Sequence, residues 1–258
     1  VKKILLPASL ACLLTVLIAV PTLKAKSNKY IVKSSAVTST SNEAATAENT
    51  SEKNNNATVL EAASNLLYDS LKLESMGLSR DVMQKAYKGH QYLKSRGSLQ
   101  NSNVLAIVDF SQSSKQKRLY IVDMASYKVL MNTYVAHGKN SGLNTADRFS
   151  NIPESLQSSL GFYVTKQTYF GKHGLSLRLA GMERGFNDNA EARAIVMHGA
   201  EYIGPHRVKS SYMGRSFGCP AVPQAQSKEA INILKDGTCL FIYHPSQQYL
   251  HGSKILNS

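Results

Sequence analysis

The hydrophobic period of the chain changes once, near residue 100. Before that point apolar residues recur at helical spacing. Val59, Leu60, Ala63, Leu66, Leu67 and Leu71 form one stripe, and Val82, Met83, Ala86, Tyr87 and Leu93 form a second that starts after Ser79, a residue suited to a helix N-cap. From Val104 onward the pattern turns to short, mostly β-branched and aromatic runs. Residues 104–109, 118–123 and 128–136 read as strands, the last two joined by a short turn near Ala125 and Ser126, and 161–165, 176–179, 194–197 and 239–243 read as further strands. One strong helical pattern returns late, from Gln224 to Lys235. Many short strands with a single late helix predict a mainly β fold, a sandwich or barrel, with a small N-terminal helical annex, and exclude alternating βαβ units.

Two stretches stand outside this pattern. Lys2 and Lys3 precede an apolar run from Ile4 to Val20, and Leu23-Lys24-Ala25 supplies a small residue at a cleavage point, so residues 1–25 read as an export signal. The run is short for a bilayer span, and a membrane tether follows only if this segment stays uncleaved. Cys12 lies inside the run and is not read as a lipid-attachment site. Residues 26–57 are rich in Ser, Thr, Asn, Ala and Glu and read as a disordered linker. The expected organisation is therefore a signal peptide at 1–25, a linker at 26–57, a helical annex at 58–100, a catalytic domain at 101–245 and a tail at 246–258. Export places the rest of the chain in the periplasm or cell envelope.

Of 258 residues, 43% are hydrophobic, enough for a real core in the part that folds. Charge excludes one class of partner. Thirty Lys and Arg against 17 Asp and Glu leave a formal +13, yet no block or stripe of basic residues stands out and no nucleic-acid-binding module is present. Arg184, Arg193, Arg207, Lys209 and Arg215 instead cluster in sequence around the candidate site described next, which favours a substrate bearing carboxylates; for any single one of them a solvated basic surface is an equal reading.

The chemistry converges on Ala194-Ile-Val-Met-His198-Gly199 and, after a polar loop, Gly214-Arg215-Ser216-Phe217-Gly218-Cys219-Pro220. A nucleophilic cysteine needs a base within hydrogen-bond reach, because the thiolate is the reactive species. His198 ends a predicted buried strand, and the loop is long enough to return Cys219 to its side. Gly218 removes a side chain where the backbone must turn tightly, so that backbone N–H groups could face a developing oxyanion. Cys219 and Cys239 are the cysteines left after signal removal, and in an oxidising compartment a disulfide between them is the default. Such a bridge would silence the nucleophile. Alternation through Cys239-Leu-Phe-Ile-Tyr243 instead reads Cys239 as a small buried hydrophobe.

The segment resembles the L,D-transpeptidase catalytic domain family, exported bacterial enzymes of peptidoglycan, whose motif runs His-Gly, a loop, then Ser-x-Gly-Cys. Here it stands as His198-Gly199 and Ser216-Phe217-Gly218-Cys219. The similarity extends over most of residues 101–245, through Val135-Ala136-His137-Gly138, Phe149-Ser150-Asn151, Ser158 to Phe162, Gly171 to Leu179 and Gly199 to Pro220. The resemblance implies acyl transfer on peptidoglycan stem peptides through a Cys219 thioester with release of D-Ala, His198 as base and Gly218, Ser216 and Gly199 positioning the site. Arg215, His173 and Arg178 are the candidates for binding substrate. It implies no metal and no organic cofactor. One departure is plain: many family members carry Arg two positions after the cysteine, where this chain has Ala221, and Arg215, Arg178 or Arg184 would have to serve instead.

Other readings use the same residues. His137 and His173 also precede glycines and suit satisfied structural histidines, His251 lies in the polar tail, and Pro205 and its neighbours put His206 on a loop surface. His198, His206, Cys219 and His244 could supply metal ligands but form no compact His-Glu-x-x-His or Cys-x-x-Cys pair. With water as acceptor the chemistry becomes that of an L,D-carboxypeptidase. A non-catalytic cell-wall binding protein on the same fold is the non-enzyme alternative, favoured by Ala221.

Overall fold

The computed structural model describes residues 43–258, and residues 45–258 form one compact unit. The predicted signal segment and residues 26–42 lie outside the described residues. Helix α1 (Glu43–Ser70) reaches back into the segment read as a linker, so 43–57 are helical. Ala and Glu recur there without an apolar stripe, and helix propensity alone leaves no hydrophobic periodicity to read. The second stripe forms α2 (Arg80–Ser95), capped by Ser79, whose Oγ accepts from the Val82 N–H at 3.3 Å.

The strand pattern yields eight strands: β1 (Asn101–Asp109), β2 (Leu119–Asp123), β3 (Lys128–Thr133), β4 (Gly161–Gly171), β5 (Gly174–Gly181), β6 (Val196–Ala200), β7 (Ala221–Pro223) and β8 (Thr238–Tyr243). Helix α3 (Gln224–Leu234) precedes β8, and α4 (Gln247–Gly252) follows it. All eight strands join one sheet in the order β3-β2-β1-β8-β4-β5-β6-β7. Beyond β3 the chain reaches the far edge: Ala136 bridges Ala221 and Gly138 bridges Ser216, with the Ala136 N–H donating to the Ala221 carbonyl at 2.7 Å. The sheet is thus a nearly closed barrel, which removes most of its edge. Helix α3 packs on β1 as well as on β5, β6 and β7. One helix can touch strands so far apart in the sheet only from its concave side. Helix α2 covers β1 and β8.

Strand β8 lies between β1, its parallel partner, and β4, and every one of its residues is buried, as a strand covered on both faces requires. The helical annex is not a separate body. Leu67, Leu71, Leu73, Val82, Met83 and Leu93 belong to the same apolar cluster as the sheet, whereas Val59 and Leu66 of the first stripe are exposed. The closest approach is at Gly89, where a Cβ would lie 1.9 Å from Cζ of Phe162, itself buried and stacked on Phe241 at 4.1 Å. Gly89→Ala therefore gains helix propensity of about 1 kcal/mol but must displace a ring with no room to move, and a net loss of about 2 kcal/mol is expected. Urea unfolding checks this; an unchanged midpoint would show that α2 can lift from the sheet freely.

Residues 246–258, read as a tail, also belong to the core. Tyr249, Ile255 and Leu256 are buried, while His251 is exposed as the polar sequence implied. The anchor is Glu183, whose Oε2 accepts from the Phe162 N–H and the Tyr249 O–H, both at 2.8 Å, and whose Oε1 accepts from the Ser253 O–H. Burial pushes this carboxyl up from its ordinary range, and the three donors hold it partway back.

Candidate active site

β6 and β7 pair in parallel with His198 opposite Ala221, and β5 places Ser176 opposite His198. This register sets His198 in the middle of three strands and brings the loop before β7, with Cys219, back to the same place. Cys219 and His198 line one cavity of about 570 Å³, together with Tyr169, Lys172, His173, Ser176, Arg193, Tyr202, Arg215, Ser216 and Phe217. Among the described residues no acidic side chain lines it. Phe217 stands exposed at the mouth, with Lys139 Nζ 4.8 Å from its ring centre.

The His198 ring is oriented by its own backbone neighbour: Nδ1 lies 2.8 Å from the Gly199 carbonyl oxygen, which fixes the proton on Nδ1 and leaves the Nε2 lone pair for proton transfer. His173, at the β4–β5 turn, stacks on it with ring centres 4.2 Å apart. Burial, and next the neighbouring His173, lower the His198 pKa, while the Gly199 carbonyl opposes them, so the imidazole is neutral at neutral pH and ready to act as a base.

The Cys219 sulfur faces the start of β6. It receives the Val196 N–H at 3.5 Å and lies 3.8 Å from the Ala194 carbonyl, which Ala194 presents from a left-handed conformation (φ 53°). Burial raises the thiol pKa, and the Val196 N–H and the charge of Arg193 pull it down. Cys219 and Cys239 are both free, and Cys239 is fully buried on β8.

The turn before Cys219 is stapled by Ser216. Its Oγ donates to the Cys219 carbonyl at 2.6 Å and accepts from the Gly218 N–H at 3.1 Å. Ser216 therefore holds the loop, and the Gly218 N–H, expected to face an oxyanion, is engaged by that hydroxyl. Gly218 is required by its backbone: φ is +123°, and a Cβ would lie 2.8 Å from the Gln157 carbonyl oxygen. Gly199 has a packing reason, since a Cβ there would lie 2.6 Å from Ser227 Oγ on α3.

The expected substrate-binding residues divide. His173 and Arg215 line the cavity, but the Arg215 guanidinium also ties down a loop through the carbonyls of Lys139 (2.8 Å) and Gly142 (3.2 Å). Arg178 is exposed on the same face of β5 as Ser176 and lies over Tyr169 at 4.5 Å, at the rim. Arg184 is exposed and its charge acts on Asp188 outside the lining. Ala221 packs in a small apolar cluster with Ala136, Ala200, Ile203 and Met213, so this chain has no room there for the arginine of the wider family. His137 is a satisfied structural histidine: it meets Arg118 Nη2 at 2.7 Å, and burial pushes its pKa to about 3. His206 is exposed, and His244 packs on Phe149. Among the described residues no three His, Cys, Asp or Glu side chains gather as metal ligands. Sequence reasoning singled out neither Lys172 nor Tyr202, and counted Arg193 only within a basic cluster; Arg193 lies three residues before the strand that carries His198, and that nearness was the available signal.

The model of the L,D-transpeptidase catalytic domain family matches residues 74–243, and the chain belongs to that family. The match starts within the annex, consistent with the core that annex and sheet share. Among solved structures the chain is similar to an L,D-transpeptidase from Mycobacterium smegmatis, at 13% identity over 55% of this chain and 59% of that one, with a TM-score of 0.34. It is similar also to an L,D-transpeptidase from Stackebrandtia nassauensis, at 13% identity over 63% of this chain and 66% of that one, with a TM-score of 0.32. The chain thus spans less than two thirds of the length of either. No curated protein matches it.

Proposed function

We propose that this protein is an exported cysteine acyltransferase that cross-links peptidoglycan stem peptides by L,D-transpeptidation in the periplasm or cell envelope. The observation that carries the reading is the convergence of Cys219 and an oriented, neutral His198 on one cavity whose charged lining side chains are Lys172, Arg193 and Arg215. Basic groups without acidic ones suit a stem peptide that carries free carboxylates.

Cys219 attacks the carbonyl of the diamino-acid residue in a tetrapeptide stem. Its proton passes to His198 Nε2, and the oxyanion of the tetrahedral intermediate is held by the backbone N–H of Cys219, since that of Gly218 is engaged by Ser216. The C–N bond to D-Ala breaks, His198 returns the proton to the departing amine, and a thioester remains. An amine of a second stem attacks the thioester and gives its proton to His198; the new amide forms and the Cys219 thiol is restored.

The test is mass spectrometry of the protein incubated with disaccharide-tetrapeptide fragments. Cross-linked dimer with loss of D-Ala supports transpeptidation, and tripeptide alone indicates water as acceptor and an L,D-carboxypeptidase. No product that depends on Cys219 overturns the enzyme and leaves a wall-binding protein. Export is tested by N-terminal sequencing of envelope fractions: the mature chain is expected to begin after Ala25, and a chain retaining residues 1–25 would indicate a membrane tether.

A further inference from the structure

The half-buried Arg193 guanidinium is held by acceptors from one loop. Nη1 donates to the Ser150 carbonyl at 2.7 Å and to Ser159 Oγ, and Nη2 to the Gln157 carbonyl at 2.7 Å and to Ser155 Oγ at 3.1 Å. All four acceptors are neutral. Its Nε is buried and has no hydrogen-bond partner. Among the described residues no carboxylate pairs with it; the groups whose negative charge would favour its cation are the Tyr163 phenol and the Cys219 thiol. Nη2 also lies 3.4 Å from where a Cβ on Gly218 would stand, beside the nucleophile, and Arg193 shares the cavity with Cys219. A half-buried cation fixed by four neutral acceptors, with no carboxylate paired to it among the described residues, is a site prepared for an anion.

We propose that Arg193 is a positioning residue whose guanidinium is the counterion of the Cys219 thiolate, supplying beside the nucleophile a fixed positive charge that does not depend on protonation of His198. The inference rests on the cysteine mechanism proposed above and deepens it. Burial favours neutral His198, so a preformed thiolate–imidazolium pair is disfavoured. In the activation step the S–H bond breaks, the proton goes to His198 Nε2, and the negative charge left on sulfur faces a cation already in place. The Val196 N–H, aimed at the same sulfur, is the second stabilising group.

The test reads ionisation of Cys219 and not turnover. The rate of alkylation by iodoacetamide is measured against pH on the full chain, with peptide mass mapping to separate Cys219 from Cys12 and Cys239. Arg193→Gln is expected to raise the midpoint by about one unit or more, which slows alkylation at neutral pH about tenfold. Ser155→Ala, which weakens the loop anchorage and keeps the cation, is expected to leave the midpoint in place. An unchanged midpoint in Arg193→Gln, or equal shifts in both variants, overturns the proposal. If Arg193→Gln does not fold, Arg193→Lys decides: it keeps the charge but cannot satisfy four acceptors, so the midpoint should hold while the melting temperature falls, and a midpoint raised by a full unit overturns the proposal. Because alkylation needs no peptidoglycan, a failure here is distinguishable from a failure of the proposed activity.

Discussion

Replacing Cys219 with alanine is expected to reduce D-Ala release from tetrapeptide stems to background, a loss of about 10⁴-fold or more, because a covalent route cannot proceed without its nucleophile. The serine hydroxyls that line the cavity are engaged elsewhere: Ser176 Oγ donates to the Gly174 carbonyl at 3.2 Å. Ser216 Oγ is committed to the Cys219 carbonyl and the Gly218 N–H, and Cys239 is sealed on β8. The substitution should leave the fold intact, since alanine keeps a small apolar side chain against the core and the sulfur's hydrogen bonds among the described residues are long ones, at 3.5 and 3.8 Å. Single-turnover mass spectrometry, with a melting curve as control, measures the effect. Release of D-Ala within tenfold of the natural protein would mean that another residue forms the acyl-enzyme.

The second large effect is expected at His198. Glutamine there can still donate an N–H toward the Gly199 carbonyl but cannot take a proton from the thiol, and a loss of about 10³-fold in kcat/KM should follow. The pH profile carries the sign. A base works only when unprotonated, and burial together with His173 lowers the His198 pKa below its ordinary 6.5, so activity falls only when pH drops through that lowered value. The acid limb of kcat/KM should therefore have its midpoint below 6.5 in the natural protein and be missing from the residual activity of His198→Gln. A midpoint above 7, or a variant within tenfold of the natural rate, would remove His198 from the role of base.

The balance of basic groups in the site bears on both results. Lys172, Arg193 and Arg215 sit in the cavity without an acidic neighbour, but two of the three already hold protein carbonyls. Arg215 and Arg193 thus shape the site through the loops they fix as well as through charge, and Lys172, exposed at the β4–β5 turn, is the one whose ammonium no such bond engages among those described. Ala221 shows how the departure from the wider family is accommodated: the position closes an apolar cluster at the barrel seam, and positive charge enters from the β4–β5 turn and from the loops before β6 and β7.

Strands 104–109, 118–123 and 239–243, the helix after Gln224 and the helix after Ser79 were legible because each carries a local period that its own neighbours in sequence create. That His198 and Cys219 would line one cavity was legible through a family motif. β7 was missed because a strand of three residues, Ala221–Pro223, is too short to show alternation and exists only by pairing with β6. The same holds for residues 246–258: their polarity reads as a tail, and what docks them is Glu183, far away in the chain.

The amino-acid sequence alone thus determined the fold class and the family, and it singled out the two residues on which the proposed chemistry turns, since periodicity, glycine placement and motif are properties of neighbouring positions. The three-dimensional structure alone decided that Ser216 staples the turn before Cys219, that Gly199 makes room for α3, that His173 stacks on His198 and that Arg193 shares a cavity with Cys219. The last of these depends on the closing of the barrel, which brings the loop at 150–159, the start of β6 and the turn before β7 together. Hydrogen bonding and electrostatics act over a few ångströms of space, whatever the separation along the chain, and a linear pattern carries no measure of that distance.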